Sequence, residues 1–194
     1  MKKHVAILSA AVLSCLLFVG AALAQQPSTP VPTDARKQTT LGKYCTAMEA
    51  YLMWRAKPKE VVILDVRSPE EYVFVGHPEM ALNIPVQFFS PAFDAEKKSY
   101  GMAANPDFVA QVAKKLDKNA TIIAMCRSGQ RSAAAVNLLA AAGYTNVWSM
   151  VDSFEGDAVT DPENLYNGKR MKNGWKNYGL PWTYALNPAQ VFVK

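Results

Sequence analysis

Two short apolar runs, Val61 to Val66 and Thr121 to Met125, carry almost no polar positions. That pattern predicts strands buried on both faces rather than half-solvated ones. Thr46-Ala47-Met48-Glu49 reads as a capping box opening a helix that runs to about Ala56. Ser68 as N-cap and Pro69 at the first helical position open a second helix. Asn105-Pro106 opens a third, with Phe108, Val109, Val112 and Leu116 spaced along one face. From Ser132 to Ala140 an alanine-rich stretch places Val136, Leu139 and Ala140 on one side and ends at Gly143. Ala81 to Ile84 is a short strand stopped by Pro85, and Val147-Trp148 is a final one. Strands alternating with helices predict an α/β fold of three layers, a central parallel sheet with helices on both faces. Ligands of such sheets bind beyond the carboxyl ends of the strands. Asp65 and Cys126 both fall at those ends and are expected to face one pocket.

The first 24 residues follow a different pattern. Lys2 and Lys3 precede an apolar stretch from Val5 to Val19, and Ala22-Leu23-Ala24 is a small-x-small site before Gln25. This is the layout of a signal peptide cleaved after Ala24, too short and too weakly flanked to prefer a membrane span. Export to the periplasm is the expectation. Val12-Leu13-Ser14-Cys15 loosely resembles a lipoprotein site that would place a lipid anchor on Cys15, but apolar Leu16 to Val19 follow it. Residues 25–40, with three prolines and one aliphatic side chain, read as a flexible linker. Residues 41–184 are expected to form the domain, with an insertion at about 157–174, and residues 185–194 a C-terminal tail.

The chain of 194 residues holds 21 basic and 16 acidic residues. Cleavage would leave about 170 residues, enough for one domain with a real core. No basic stripe with interleaved aromatics is present, so no nucleic acid is implied. A mild positive charge favours small anions. Two cysteines and one histidine in the mature chain, widely separated, show no metal-ligand spacing, and no cofactor is implied.

The densest chemistry lies in Cys126-Arg127-Ser128-Gly129-Gln130-Arg131-Ser132, between the second apolar run and the alanine-rich helix. A strand-to-helix turn of this kind aims backbone N–H groups and a helix N-terminus at one point. With two arginines nearby, a thiol there should ionise below its usual value of about 8.5. The thiolate is the nucleophilic form.

This loop resembles the active-site loop of the rhodanese-like sulfurtransferases. A second block supports the resemblance: Asp65-Val66-Arg67-Ser68-Pro69 after a strand, then Gly76-His77 and Ala81-Leu82-Asn83-Ile84-Pro85. Gly143-Tyr144-Thr145-Asn146-Val147 is similar to the turn and strand after the family's active-site helix, and the likeness covers about residues 41 to 184. Four residues separate Cys126 from Arg131. Related cysteine phosphatases have five, a wider cradle suited to phosphate. One departure is Asp152-Ser153 before Phe154-Glu155-Gly156, where the family usually shows paired glycines. It bears on the turn there and on one wall of the pocket.

The resemblance implies a rhodanese-type thiosulfate sulfurtransferase. Cys126 would take sulfane sulfur from a small sulfur-containing anion such as thiosulfate and pass it, as a persulfide, to cyanide or a thiol. The N–H groups of Arg127 to Ser132 would hold the charge. Arg131 either meets substrate or ties the helix start to a carboxylate such as Asp65 or Glu71, and Arg127 meets the substrate anion or only solvent. Asp65 and Arg67 are expected to brace the loop, and His77 to be a structural histidine in the Gly-His turn. Three rivals stand beside this reading. One is a sulfur carrier that hands persulfide to a periplasmic protein partner through the insertion. Another is a phosphatase or arsenate reductase. The third is a redox protein in which Cys45, expected on an edge strand before the first helix, pairs with Cys126.

Overall fold

The structure, a computed structural model, describes residues 27–193. The signal peptide, its cleavage site and Cys15 lie outside the described residues. In chain order the elements are β1 (Tyr44–Cys45), α1 (Ala47–Ala56), β2 (Val61–Asp65), α2 (Pro69–Phe74), β3 (His77–Pro78), β4 (Leu82–Asn83), β5 (Gln87–Asp94) and β6 (Ser99–Ala104). They continue with α3 (Phe108–Ala113), β7 (Thr121–Met125), α4 (Gln130–Ala141), β8 (Val147–Met150) and β9 (Trp182–Thr183).

Five strands form one parallel sheet in the order β1-β8-β7-β2-β4. Alternate side chains of β2 and β7 feed two cores. On one face Leu64, Ile122 and Ala124 pack against Phe108 and Val112 of α3 and Val136 and Leu139 of α4. On the other, Val61, Ile63, Ile123 and Met125 pack against Ala47 and Ala50 of α1, Tyr72 of α2 and the fully buried Trp175. The three-layer expectation from the apolar runs therefore holds. So do both capping boxes: the Thr46 and Ser68 hydroxyls accept from the amides of Glu49 and Glu71, and each glutamate returns the bond to its cap.

Two terminal segments fold differently from their expectation, and the stretch between β4 and α3 forms a hairpin. Residues 27–40 are not a loose linker. They carry a short 3-10 turn at Ala35–Lys37 and lie on the domain, with Thr29 bonded to Glu49 and the Thr40 amide to Asn137 of α4. Lys37 reaches furthest, donating to the Val151 carbonyl at 3.0 Å and to Asp157 at 2.9 Å. Residues 87–104 are the hairpin β5–β6, in which Phe89 and Phe93 both meet the Tyr100 ring and all three stay exposed. The segment 185–193, expected as a tail, returns to the free edge of β4. The Asn83 amide donates to the Gln190 carbonyl, and the Phe192 ring meets Phe88. Among the described residues no helix is long and apolar enough to cross a membrane.

Candidate active site

β7 carries Cys126 to the end of the central strand, where it is only 2% exposed. The chain turns through Arg127, Ser128 and Gly129 and enters α4 at Gln130. Gly129 caps the helix at φ +106°, and its N–H points at Cys126 Sγ from 3.1 Å. A Cβ on Gly129 would meet the Val151 carbonyl oxygen at 2.3 Å. Both the positive φ and the close approach therefore demand glycine. The loop is held from the far side as well, because Lys37 bonds the same Val151 carbonyl.

Electrostatics favour the thiolate. Burial pushes the Cys126 thiol up, but the Arg131 charge, the Ser132 hydroxyl and amide, and the Gly129 amide outweigh it. The thiol therefore titrates below its ordinary value. Arg131 does not reach Cys126 by a hydrogen bond; its charge acts through space. Its guanidinium is gripped by Glu71, Nη1 to Oε2 and Nη2 to Oε1, both at 2.6 Å. Of the two carboxylates expected for Arg131, Glu71 is the one that holds it. Asp65 is fully buried and taken by Arg67, whose Nη2 lies 2.6 Å from Oδ2 and whose Nε lies 2.9 Å from Oδ1.

Arg67 also donates to the Gly76 carbonyl and lies 4.3 Å over the Phe154 ring. Phe154 in turn donates its amide to the Cys126 carbonyl at 3.0 Å. Asp65 and Arg67 thus reach the cysteine through Phe154 rather than by touching the loop. His77 is buried, stacks on Tyr72 with ring centres 3.6 Å apart, and places Nδ1 3.0 Å from the Tyr72 carbonyl. Burial pushes its pKa down. Gln130 and Arg127 are exposed, and the Arg127 carbonyl accepts from the Glu155 and Gly156 amides.

Ser153 escaped the sequence reading of the site, although the Asp152-Ser153 departure marked its place. It is fully buried and adopts φ +55°, so the tight turn forms without glycine. Its hydroxyl accepts from the Cys126 amide at 3.1 Å, donates to the Met150 carbonyl at 2.8 Å and lies 3.1 Å from the Ser132 hydroxyl. A left-handed non-glycine residue costs about 1–2 kcal/mol, which these contacts offset.

Cys45 sits on edge strand β1, as expected. β8 lies between it and β7, so the two strands are about 10 Å apart, beyond disulfide reach without backbone movement. Cys45 also packs into the core opposite the one that holds Cys126. Burial pushes its thiol well up, the reverse of Cys126.

Residues 49–158 match the family model of the rhodanese-like domain. Over 91 residues the chain is 37% identical to "Thiosulfate sulfurtransferase 16, chloroplastic" of Arabidopsis thaliana, covering 47% of this chain and 68% of that protein. It is 33% identical over 160 residues to "Protein HIGH ARSENIC CONTENT 1, mitochondrial" of the same plant, covering 69% and 88%. The matched part spans 45% of the length of a Raphanus sativus senescence-associated protein and 65% of the Arabidopsis rhodanese-like domain-containing protein 15. Among solved structures, Rv0390 from M. tuberculosis superposes with a TM-score of 0.58 at 28% identity, covering 74% of this chain and 98% of that one. A loop that stabilises a thiolate at the end of the middle strand, a parallel sheet of this order and a family match over more than half the chain agree: the protein belongs to the rhodanese-like domain family.

Proposed function

We propose that this protein is a thiosulfate-type sulfurtransferase working through a Cys126 persulfide. The observation that carries the reading is the Gly129 amide aimed at Sγ from 3.1 Å in a loop whose net effect is to lower the thiol's pKa. The thiolate attacks the outer sulfur of thiosulfate. A new S–S bond forms on Cys126, the S–S bond of thiosulfate breaks, and sulfite leaves with that electron pair. Cyanide or a thiolate then attacks the outer sulfur of the persulfide, and Cys126 departs as the thiolate. The loop amides and the α4 N-terminus offset the negative charge that alternates between one sulfur and two. Arg127 lies at the exposed rim, where it would meet the incoming anion. Arg131, fixed by Glu71, supplies positive potential rather than a substrate contact. His77, pinned on Tyr72, and Asp65, filled by Arg67, serve the scaffold. The protein would act in the periplasm after cleavage at Ala24.

A sulfur-carrier role is the second reading. The insertion supports it: Leu165 is 85% exposed, and Tyr166 and Met171 are exposed beside it. An acceptor protein could dock there.

Intact-protein mass spectrometry before and after thiosulfate tests the first reading. Wild type should gain one sulfur atom that cyanide removes, and Cys126→Ser should gain none. A folded, reduced wild type that takes up no sulfur overturns it. Sulfur uptake without turnover of cyanide would favour the carrier.

A further inference from the structure

Cys126 is clipped to a single short segment in both directions. Its amide donates to the Ser153 hydroxyl at 3.1 Å, and its carbonyl accepts from the next residue, Phe154, at 3.0 Å. The direction in which the sulfur points therefore depends on where residues 153 and 154 stand. Glycine would satisfy the backbone at Ser153 without strain. It would also leave the Cys126 amide, buried at the end of β7, with no partner. Serine accepts the strained backbone and supplies the missing acceptor.

The hydroxyl has a further use. It holds one proton and two lone pairs. One lone pair serves the Cys126 amide. The proton has three acceptors within reach: the Met150 carbonyl at 2.8 Å, Ser132 Oγ at 3.1 Å and Cys126 Sγ at 3.8 Å. While the sulfur is a neutral thiol the carbonyl is the better acceptor. Once the sulfur carries a charge it becomes the stronger one, because hydrogen bonds to ions are shorter and stronger than those to neutral groups. Ser132, fully buried and touching Ser153, adds a second hydroxyl to the same small space.

We propose that Ser153 is a positioning residue for Cys126, fixing the sulfur through the cysteine amide and turning its hydroxyl proton toward the sulfur when the sulfur is anionic. The proposal rests on the sulfur-transfer reading for its purpose, but it concerns ionisation of Cys126 and is tested without turnover. In each sulfur-transfer cycle Cys126 passes between thiolate and persulfide; the Ser153 proton turns to the inner sulfur in the thiolate and returns to the Met150 carbonyl once the charge has moved to the outer sulfur.

The test is the rate of Cys126 alkylation by iodoacetamide against pH, in wild type, Ser153→Ala and Ser153→Gly. Alanine removes the hydroxyl and keeps the strained backbone. Glycine removes the hydroxyl and relieves the strain, so it remains informative if the alanine variant folds poorly. Both midpoints should move to higher pH. The rate at pH 7 should fall about threefold or more, the effect of losing one modest hydrogen bond. The plateau at high pH should hold, because the thiolate itself is unchanged. A loss of rate that is equal at every pH would assign Ser153 a purely structural role and overturn the proposal, as would unchanged midpoints. Persulfide formation from thiosulfate, followed by mass on the same wild-type sample, judges the parent reading separately. A wild type that takes no sulfur but shows the midpoint shifts removes the sulfur-transfer purpose and leaves the positioning of the thiolate standing.

Discussion

Glu71 holds Arg131 with both carboxylate oxygens, each 2.6 Å from a guanidinium nitrogen, and so joins α2 to the helix that opens at the cysteine loop. The same glutamate closes the capping box on Ser68. One side chain thereby sets the start of α2 and the position of the loop's positive charge.

Replacing it by glutamine keeps the shape and removes the charge. Glu71→Gln should lower stability at pH 7 by about 1–3 kcal/mol, between the values for exposed and buried ion pairs. Burial raises the Glu71 pKa, but the Arg131 fork and the Ser68 amide bring it below its ordinary value. Its stabilisation is thus present above the unfolded carboxyl's pKa of about 4.3 and lost as pH falls through the lower folded value. Urea unfolding at pH 7 and pH 3 checks this. The gap between wild type and variant should narrow at pH 3, and a constant gap would contradict the assignment.

Gly129→Ala should be among the costliest single changes in the chain. The new methyl would have to displace the Val151 carbonyl at a φ of +106°. Loss of about 3 kcal/mol or more is expected, from backbone strain and overlap together. Alkylation of Cys126 in the surviving folded fraction should slow at neutral pH, since the amide that faces the sulfur moves with the loop. Thermal melting and the alkylation rate report the two effects.

Cys45 should be silent in the chemistry. Cys45→Ala should cost about 1–2 kcal/mol for a buried side chain made smaller, with persulfide formation on Cys126 unchanged. Oxidation of wild type followed by non-reducing peptide mapping should show no Cys45–Cys126 disulfide. Recovery of that disulfide from folded protein would revive the redox reading.

Lys37→Met tests whether the segment 27–40 matters to the loop. The lysine amine is bonded to the Val151 carbonyl and to Asp157, and its side chain is 14% exposed. Its removal should cost about 1–2 kcal/mol from the two lost bonds, with the greatest rise in amide hydrogen exchange near Gly129. A change confined to residues 27–40 would mean that the segment lies on the domain without bracing it.

The sheet and the cysteine loop were legible because their signals are local. Val61 to Leu64 and Ile122 to Met125 are apolar without a break, and the caps at Thr46 and Ser68 each need only four consecutive residues. The partner of Arg131 was narrowed to Asp65 or Glu71 but not chosen, since the choice depends on how α2 approaches α4. Composition describes a segment in isolation, so residues 25–40 read as flexible while residues 27–40 lie ordered on the domain. Their order comes from contacts to Glu49, Asn137, Val151 and Asp157. Ser153 was hidden for a related reason: its importance lies in a hydroxyl shared with residues 27 and 21 positions earlier in the chain. The hairpin at 87–104 gave no clear alternation, and Pro91 argues against an interior strand. Pro91 is tolerated because it falls in the register shift between Phe89 and Phe93 of a two-stranded sheet.

The pairing of β1 with β8 sets the order in which this molecule is completed. Tyr44 lies opposite Ser149, roughly a hundred residues later in the chain. Among the described residues the first strand therefore has no neighbour in the sheet until β8 exists, and closing so long a loop must precede any gain from its hydrogen bonds. Lys37, ahead of β1 in the chain, is bound by the same delay, because its partners Val151 and Asp157 come after β8. β1 thus gains its sheet hydrogen bonds only after β8 has been made, and β3 waits longer still for β9.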